Sequence, residues 1–180
     1  MVFRAISLPF YIYADILHLL REVERSKALE DVKLLKKLEI FKDLNSFETA
    51  KVGKLLKAVD FKKGDRIVSL GEEGDSLFIV KSGEAIVTRG DGQGKEETLA
   101  VLGDGDHFGE IALIDLQSRS ADVSAMVDST FLEIKRKDLE GLFSNDSSLA
   151  AKVYHSFALT LCKRLRDANE NVILSSTHQG

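Results

Sequence analysis

The sequence predicts a mainly β protein with flanking helices (α+β), an antiparallel jelly-roll-like barrel with N-terminal helices and two C-terminal helices. Three observations predict it. Eleven of the thirteen glycines fall between Gly53 and Gly109, and the pattern before and after that region is helical. Within the region the apolar period changes to two. The intervals between the resulting short runs are too short for crossover helices, which argues against a doubly wound parallel sheet.

The elements follow in order. From Tyr13 to about Lys37, Ile16, Leu19, Leu20, Val23, Leu29, Val32 and Leu35 recur at three- and four-residue steps, an amphipathic helix broken near Ser26 or Leu29. "NSFETAKVGKLLKAVDF" reads as a second helix, N-capped at Asn45 or Ser46, with Val52, Leu55, Leu56 and Val59 on one face. Then come six strand-like runs, "DRIVSL", "SLFIV", "EAIVTR", "ETLAVL", "ADVSAMV" and "TFLEIK", divided by glycine-rich turns. Short strands at near-regular spacing make a jelly-roll or sandwich-like barrel. "KRKDLEGLF" is a short helix capped at Lys137 or Asp138. A long helix capped at Asp146 or Ser147 follows, with Leu149, Val153, Phe157, Leu161 and Leu165 at strict four-residue steps.

The expected organisation is a helical arm over 1–32, a helical lead-in over 33–60, the β region over 61–136, closing helices over 137–173 and a flexible tail over 174–180. The apolar N-terminus is interrupted by Arg4, Pro9, Asp15 and His18. No run reaches the ~20 apolar residues of a membrane span, and no clean cleavage site follows. With 44% hydrophobic and 30% charged residues, the composition is that of a soluble globular chain. A formal net charge of −4 gives no general attraction to nucleic acid, so any anion site must be local. The single cysteine, Cys162, excludes an internal disulfide framework and fits a reducing, cytoplasmic setting. It is expected to be a buried core thiol.

"GDGDHFG" fails as a dinucleotide fingerprint, because three residues, not two, separate Gly105 from Gly109 and no long helix follows. The four histidines lie in separate segments without metal-motif spacing, and no nucleophile–base arrangement is visible, so neither a metal nor an enzyme is expected. The basic clusters "KRKD" and "CKRLR" read as solvated helix faces.

The informative segment is "HFGEIALIDLQSRSADVSA", residues 107–125. If Phe108 ends a strand and "GEIAL" makes a helical turn, free N–H groups near Ile111 and Ala112 face outward, and Gly109 permits close backbone approach. Arg119 offers a planar fork matched to two phosphate oxygens. Glu110 suits a neighbouring sugar hydroxyl, since a carboxylate only accepts. Spacing alone fits equally a ligand with one phosphate beside a free hydroxyl, or an ordinary Glu110–Arg119 ion pair.

"LGDGDHFGEIALIDLQSRSADVSA" closely resembles the phosphate-binding cassette of cyclic nucleotide-binding domains, F-G-E-[LI]-A-L followed after a variable loop by [PE]-R-[SAT]-A-x-V. The likeness covers about residues 33–173. It implies a β-roll that binds cyclic AMP or cyclic GMP, a non-enzymatic sensor resembling the bacterial catabolite-activator-like members but without their DNA-binding domain. Arg119 would then pair with the cyclic phosphate and Glu110 with the ribose 2′-OH. Backbone N–H groups of Ala112 and Ser120 would complete the cradle, and Val101, Leu102 and Phe108 would wall the sugar and base. Arg164 and Asn169, on the last helix, match the positions that reach the base in bacterial members. Two departures are Ser118, in place of proline or glutamate, and Asp122, where threonine is frequent. Asp122 either points away from the ligand or, pointing inward, weakens phosphate binding by ~1–2 kcal/mol. The resemblance favours cyclic AMP and implies a separate effector protein or a homodimer through the last helix. The alternative is a degenerate roll serving as a ligand-free interaction scaffold.

Overall fold

The computed structural model describes residues 10–90 and 96–177, with side chains described over 18–90 and 96–169. Eight strands form two four-stranded antiparallel sheets: β1 (Lys57–Phe61), β2 (Arg66–Val68), β3 (Ser76–Ser82), β4 (Ala85–Gly90), β5 (Glu96–Leu102), β6 (His107–Phe108), β7 (Asp122–Ala125) and β8 (Ser129–Lys135). One sheet has the order β1-β8-β3-β6 and the other β2-β7-β4-β5. The helices are α1 (Phe10–Leu35), α2 (Ser46–Gly53), α3 (Glu110–Asp115), α4 (Arg136–Asn145) and α5 (Ser147–Thr177).

The first sheet is covered on both sides, and its sequence shows why. On β3 and β8 every second residue turns inward: Phe78, Val80 and Phe131 join Val68, Ala85, Leu102, Phe108 and Val123 inside the roll. The alternate residues, Leu77, Ile79, Leu132 and Ile134, pack against Leu35, Phe41, Val52, Leu149, Val153 and Phe157 of the helical layer. Inside the roll Phe78 stacks on Phe108 at 5.1 Å, and Phe131 meets both Phe108 and Phe61 edge-on.

α2 is fixed by a reciprocal cap. Asn45 Oδ1 accepts from the Phe47 and Glu48 N–H groups, and the Glu48 carboxylate accepts from the Asn45 N–H at 2.8 Å. Both Glu48 oxygens also accept from Lys152 of α5 at 2.9 Å, tying the lead-in helix to the closing helix.

Several expectations are corrected. The second helix ends at Gly53, and "KAVDF" is strand β1, paired in continuous register with β8 from Lys57↔Glu133 to Phe61↔Ser129. Val59 therefore belongs to the sheet; apolar spacing over so short a run fits either period, and the open β8 edge decides it. α1 is unbroken through Ser26 and Leu29. Its residues 18–30 are exposed, so no packing imposes a break, and among the described residues it docks at its C-terminal end, where Val32 touches Gly53 and Asp31 pairs with Lys81 at 2.6 Å. α4 starts at Arg136, and α5 runs through Thr177, taking up most of the expected tail. Its four-residue stripe is buried only as far as Phe157, and Leu165 stands 63% exposed. Cys162 is exposed rather than in the core. The expected apolar arm before Phe10 and residues 178–180 lie outside the described residues.

His107 faces the helical layer, opposite Ile79 in the β3–β6 register. It is 8% exposed and its Nε2 has no partner among the described residues. Burial, aided by the nearby Arg164 charge, lowers its pKa from 6.5 to about 4. A depressed histidine binds fewer protons in the folded than in the unfolded chain between those two values, so stability rises with pH across that window. Moving from pH 7 to pH 5 should cost about 2 kcal/mol through this residue. Urea denaturation at both pH values checks this: His107→Gln should flatten the loss by that amount, and an equal loss in both proteins would place the acid sensitivity elsewhere.

Candidate anion-binding site

The site is assembled where the turn before β3, the strand β6 and the segment after α3 meet. Gly109 stands between β6 and α3 with φ +94°, in the left-handed region. A Cβ there would lie 2.5 Å from both Arg119 Nη1 and the Ser76 carbonyl oxygen. Glycine is thus required twice, by the backbone and by the guanidinium pressed against it. Loop 71–75 holds both arms of the cassette. Gly74 packs directly on Ala112, the Arg119 N–H donates to the Glu72 carbonyl at 2.8 Å, and the Gly71 N–H donates to the Arg119 carbonyl at 2.9 Å.

Arg119 is turned into the protein, 6% exposed, with its guanidinium carbon 5.9 Å from the Phe78 ring centroid. Its Nε and Nη1 have no hydrogen-bond partner among the described residues. A fully donating side chain left unpaired in this way is costly unless something accepts from it. Burial works against its charge, while Glu72, Asp75, Glu110 and Glu133 favour it.

Glu110, the first residue of α3, is 1% exposed. Its Oε1 accepts from Arg164 Nη1 of α5, and Arg164 Nη2 donates to the His107 carbonyl at 2.8 Å. Burial pushes the Glu110 carboxyl above its usual range, with Arg164 chiefly opposing the shift.

The structure therefore brings Phe108, Gly109, Glu110, Ala112 and Arg119 together. Ile111 lies on the partly exposed side of α3, and Ser120 is exposed immediately beyond Arg119. Val101 is corrected: it is 56% exposed on the outer face of β5, whereas its neighbours Ala100 and Leu102 join the core inside the roll. Arg164 grips Glu110 and the His107 carbonyl, so "CKRLR" is not simply a solvated face. Asn169 is exposed five residues further along α5, roughly 7–8 Å up the helix axis, and is not brought to the site. Asp122 points away from the guanidinium of Arg119, pairing with Arg66 and accepting from the Leu70 N–H at 2.9 Å. The acids around Arg119 were missed in the sequence. Glu133 was legible in principle, because it shares the inward parity of Phe131 on β8. Among the described residues no helix is long and apolar enough to cross a membrane, and no cluster of His, Cys, Asp and Glu could hold a metal ion.

Residues 58–146 match the family model described as the cyclic nucleotide-binding domain. The chain is similar to the cyclic AMP receptor protein of Thermus thermophilus, 35% identical over 116 residues, which are 64% of this chain and 52% of that relative. The regulatory domain of Toxoplasma gondii PKA, solved with cAMP, superposes with a TM-score of 0.64 at 30% identity, covering 73% of this chain and 51% of that one. A cyclic nucleotide-binding domain from Methylobacillus flagellatus superposes with a TM-score of 0.74 at 23% identity, over 83% of this chain and 84% of that one, and shows the shared fold. The chain spans about half the length of the Thermus relative, and the family-model match ends at Asp146, before α5 begins. With the glycine, the buried acid and the inward arginine of the cassette all in place, the chain belongs to the cyclic nucleotide-binding domain family.

Proposed function

We propose that this protein is a non-enzymatic, cytoplasmic sensor that binds cyclic AMP or cyclic GMP and relays occupancy through α5 to an effector protein or a second copy of itself. The observation that carries the reading is Arg119, a buried guanidinium with two unpartnered nitrogens beside a glycine that keeps the space in front of it free of a side chain. A singly charged cyclic phosphate satisfies it by a bidentate, charge-assisted contact. Glu110 is placed two residues before Ala112 on the same turn and accepts from a ribose hydroxyl. The cAMP complex of the Toxoplasma relative supports cyclic AMP as the ligand class.

The relay runs through Arg164. Its contacts to Glu110 and the His107 carbonyl are the polar link between the cassette and the exposed half of α5. A ribose hydroxyl on Glu110 competes with Arg164, so binding biases α5 between two seatings. The engagement of Glu110 without ligand is also what favours the scaffold alternative, in which the Arg164 contact is permanent.

A thermal melt with cyclic AMP, cyclic GMP and 5′-AMP tests the binding. One cyclic nucleotide at 100 times its Kd should stabilise the fold by about 2.7 kcal/mol, and Arg119→Ala should weaken that binding by at least about 100-fold. Equal shifts in the variant, or none in the parent, would favour the scaffold. Hydrogen exchange tests the relay. Cyclic nucleotide should change protection over residues 158–169 in the parent and leave it unchanged in Arg164→Ala; an identical response in both would remove Arg164 from the path.

A further inference from the structure

Asp122 opens β7 just beyond the arginine of the cassette. It is also the position at which this chain departs from the threonine frequent in the pattern it resembles. The neighbouring strand β2 pairs with β7 irregularly: Arg66 lies opposite Ser124 and Val68 opposite Val123, with a bulge between them. No ladder pair follows Val68, so the chain running on to loop 71–75 leaves the sheet there.

Three bonds hold that chain against the cassette. The Leu70 N–H donates to Asp122 Oδ1 at 2.9 Å, the Gly71 N–H donates to the Arg119 carbonyl at 2.9 Å, and the Arg119 N–H donates to the Glu72 carbonyl at 2.8 Å. The last two join main chain to main chain and do not depend on side-chain identity. The first needs an acceptor on residue 122, one that reaches back across the gap where the ladder stops. The Asp122 carboxylate also pairs with Arg66, which is half exposed, and an ion pair of that kind contributes little alone. The Leu70 N–H, with Arg66, holds the Asp122 carboxyl below its usual range, so the group stays an acceptor at neutral pH.

Asp122 is not among the four carboxylates that favour the Arg119 charge, but two of those four, Glu72 and Asp75, stand on the loop it fastens. Its influence on the guanidinium therefore passes through the main chain. A bidentate contact to phosphate needs two nitrogens in range at once, and a drift of about 0.5 Å in the segment that carries them weakens it.

We infer that Asp122 is a positioning residue for anion recognition: by accepting from the Leu70 N–H it holds residues 70–72 against the cassette and presets the Arg119 guanidinium for the cyclic phosphate. The inference rests on the cyclic-nucleotide reading and adds to it a residue that points away from the guanidinium it serves.

Calorimetric titration of the full chain with cyclic AMP and cyclic GMP tests it. Asp122→Ala should weaken the nucleotide that binds by about 10-fold. Asp122→Asn, which keeps an Oδ1 acceptor and loses the charge, should stay within about 3-fold of the parent, as should Arg66→Ala. In an Arg119→Ala background, Asp122→Ala should cost at most about 2-fold more, a non-additivity that a general loss of stability does not produce. In the ligand-free chain, amide exchange at Gly71 and Arg119 should quicken at least about 5-fold in Asp122→Ala and hold its parental rate in Asp122→Asn. Unchanged affinity in Asp122→Ala, the same loss in the Arg119→Ala background, or no recovery in Asp122→Asn would overturn the role of Asp122 and leave the cassette standing. A parent chain that binds neither nucleotide would overturn both.

Discussion

The structure is organised around the cost of burying one guanidinium. Arg119 sits in a roll whose interior is mainly aromatic and aliphatic, a place where an isolated charge is strongly disfavoured. Four carboxylates, Glu72, Asp75, Glu110 and Glu133, act on it electrostatically, yet Nε and Nη1 remain without an acceptor. The fold therefore supplies charge balance without hydrogen-bond satisfaction. That is the condition in which an incoming anion contributes most, since it completes bonds the protein leaves open.

Precise placement of that side chain depends on contacts that involve no charge at all. Gly109 leaves room for Nη1, Gly74 lets the turn before β3 press on Ala112, and two backbone bonds clip residue 119 to loop 71–72. Any side chain at either glycine would push the cassette off the loop that frames it. The first sheet, packed on both faces, gives this assembly a firm base, because Phe78 below Arg119 stacks on Phe108, which Phe131 meets edge-on. The helical layer is joined to the same base through Leu113 on α3 and the residues from Leu149 to Phe157 on α5.

Beyond Phe157 the closing helix leaves its packing, and among the described residues Arg164 still touches the cassette. A contact between a 41%-exposed arginine side chain and a 1%-exposed glutamate is asymmetric: water can replace the partner of one, and only another donor can replace the partner of the other. This asymmetry makes Glu110 the sensitive member of the pair.

Much of this was legible in the residues. The glycine distribution and the change of period located the β region, because turn chemistry and alternation are local properties, whereas the cassette was located by the family resemblance that "FGEIAL" and Arg119 carry, spacing alone leaving an ordinary ion pair equally open. Strand β1 was not legible, since "KAVDF" suits a helix as well until β8 offers an edge, and the break expected in α1 did not occur because nothing packs there to impose it. The outward turn of Val101, the Arg164–Glu110 grip and the Asp122–Arg66 pair were decided by register and by contacts across tens of residues, which spacing along one chain does not encode. Sequence alone determined which groups can hold an anion; tertiary structure decided which way each one faces, because burial and partnership are set by what the fold brings alongside.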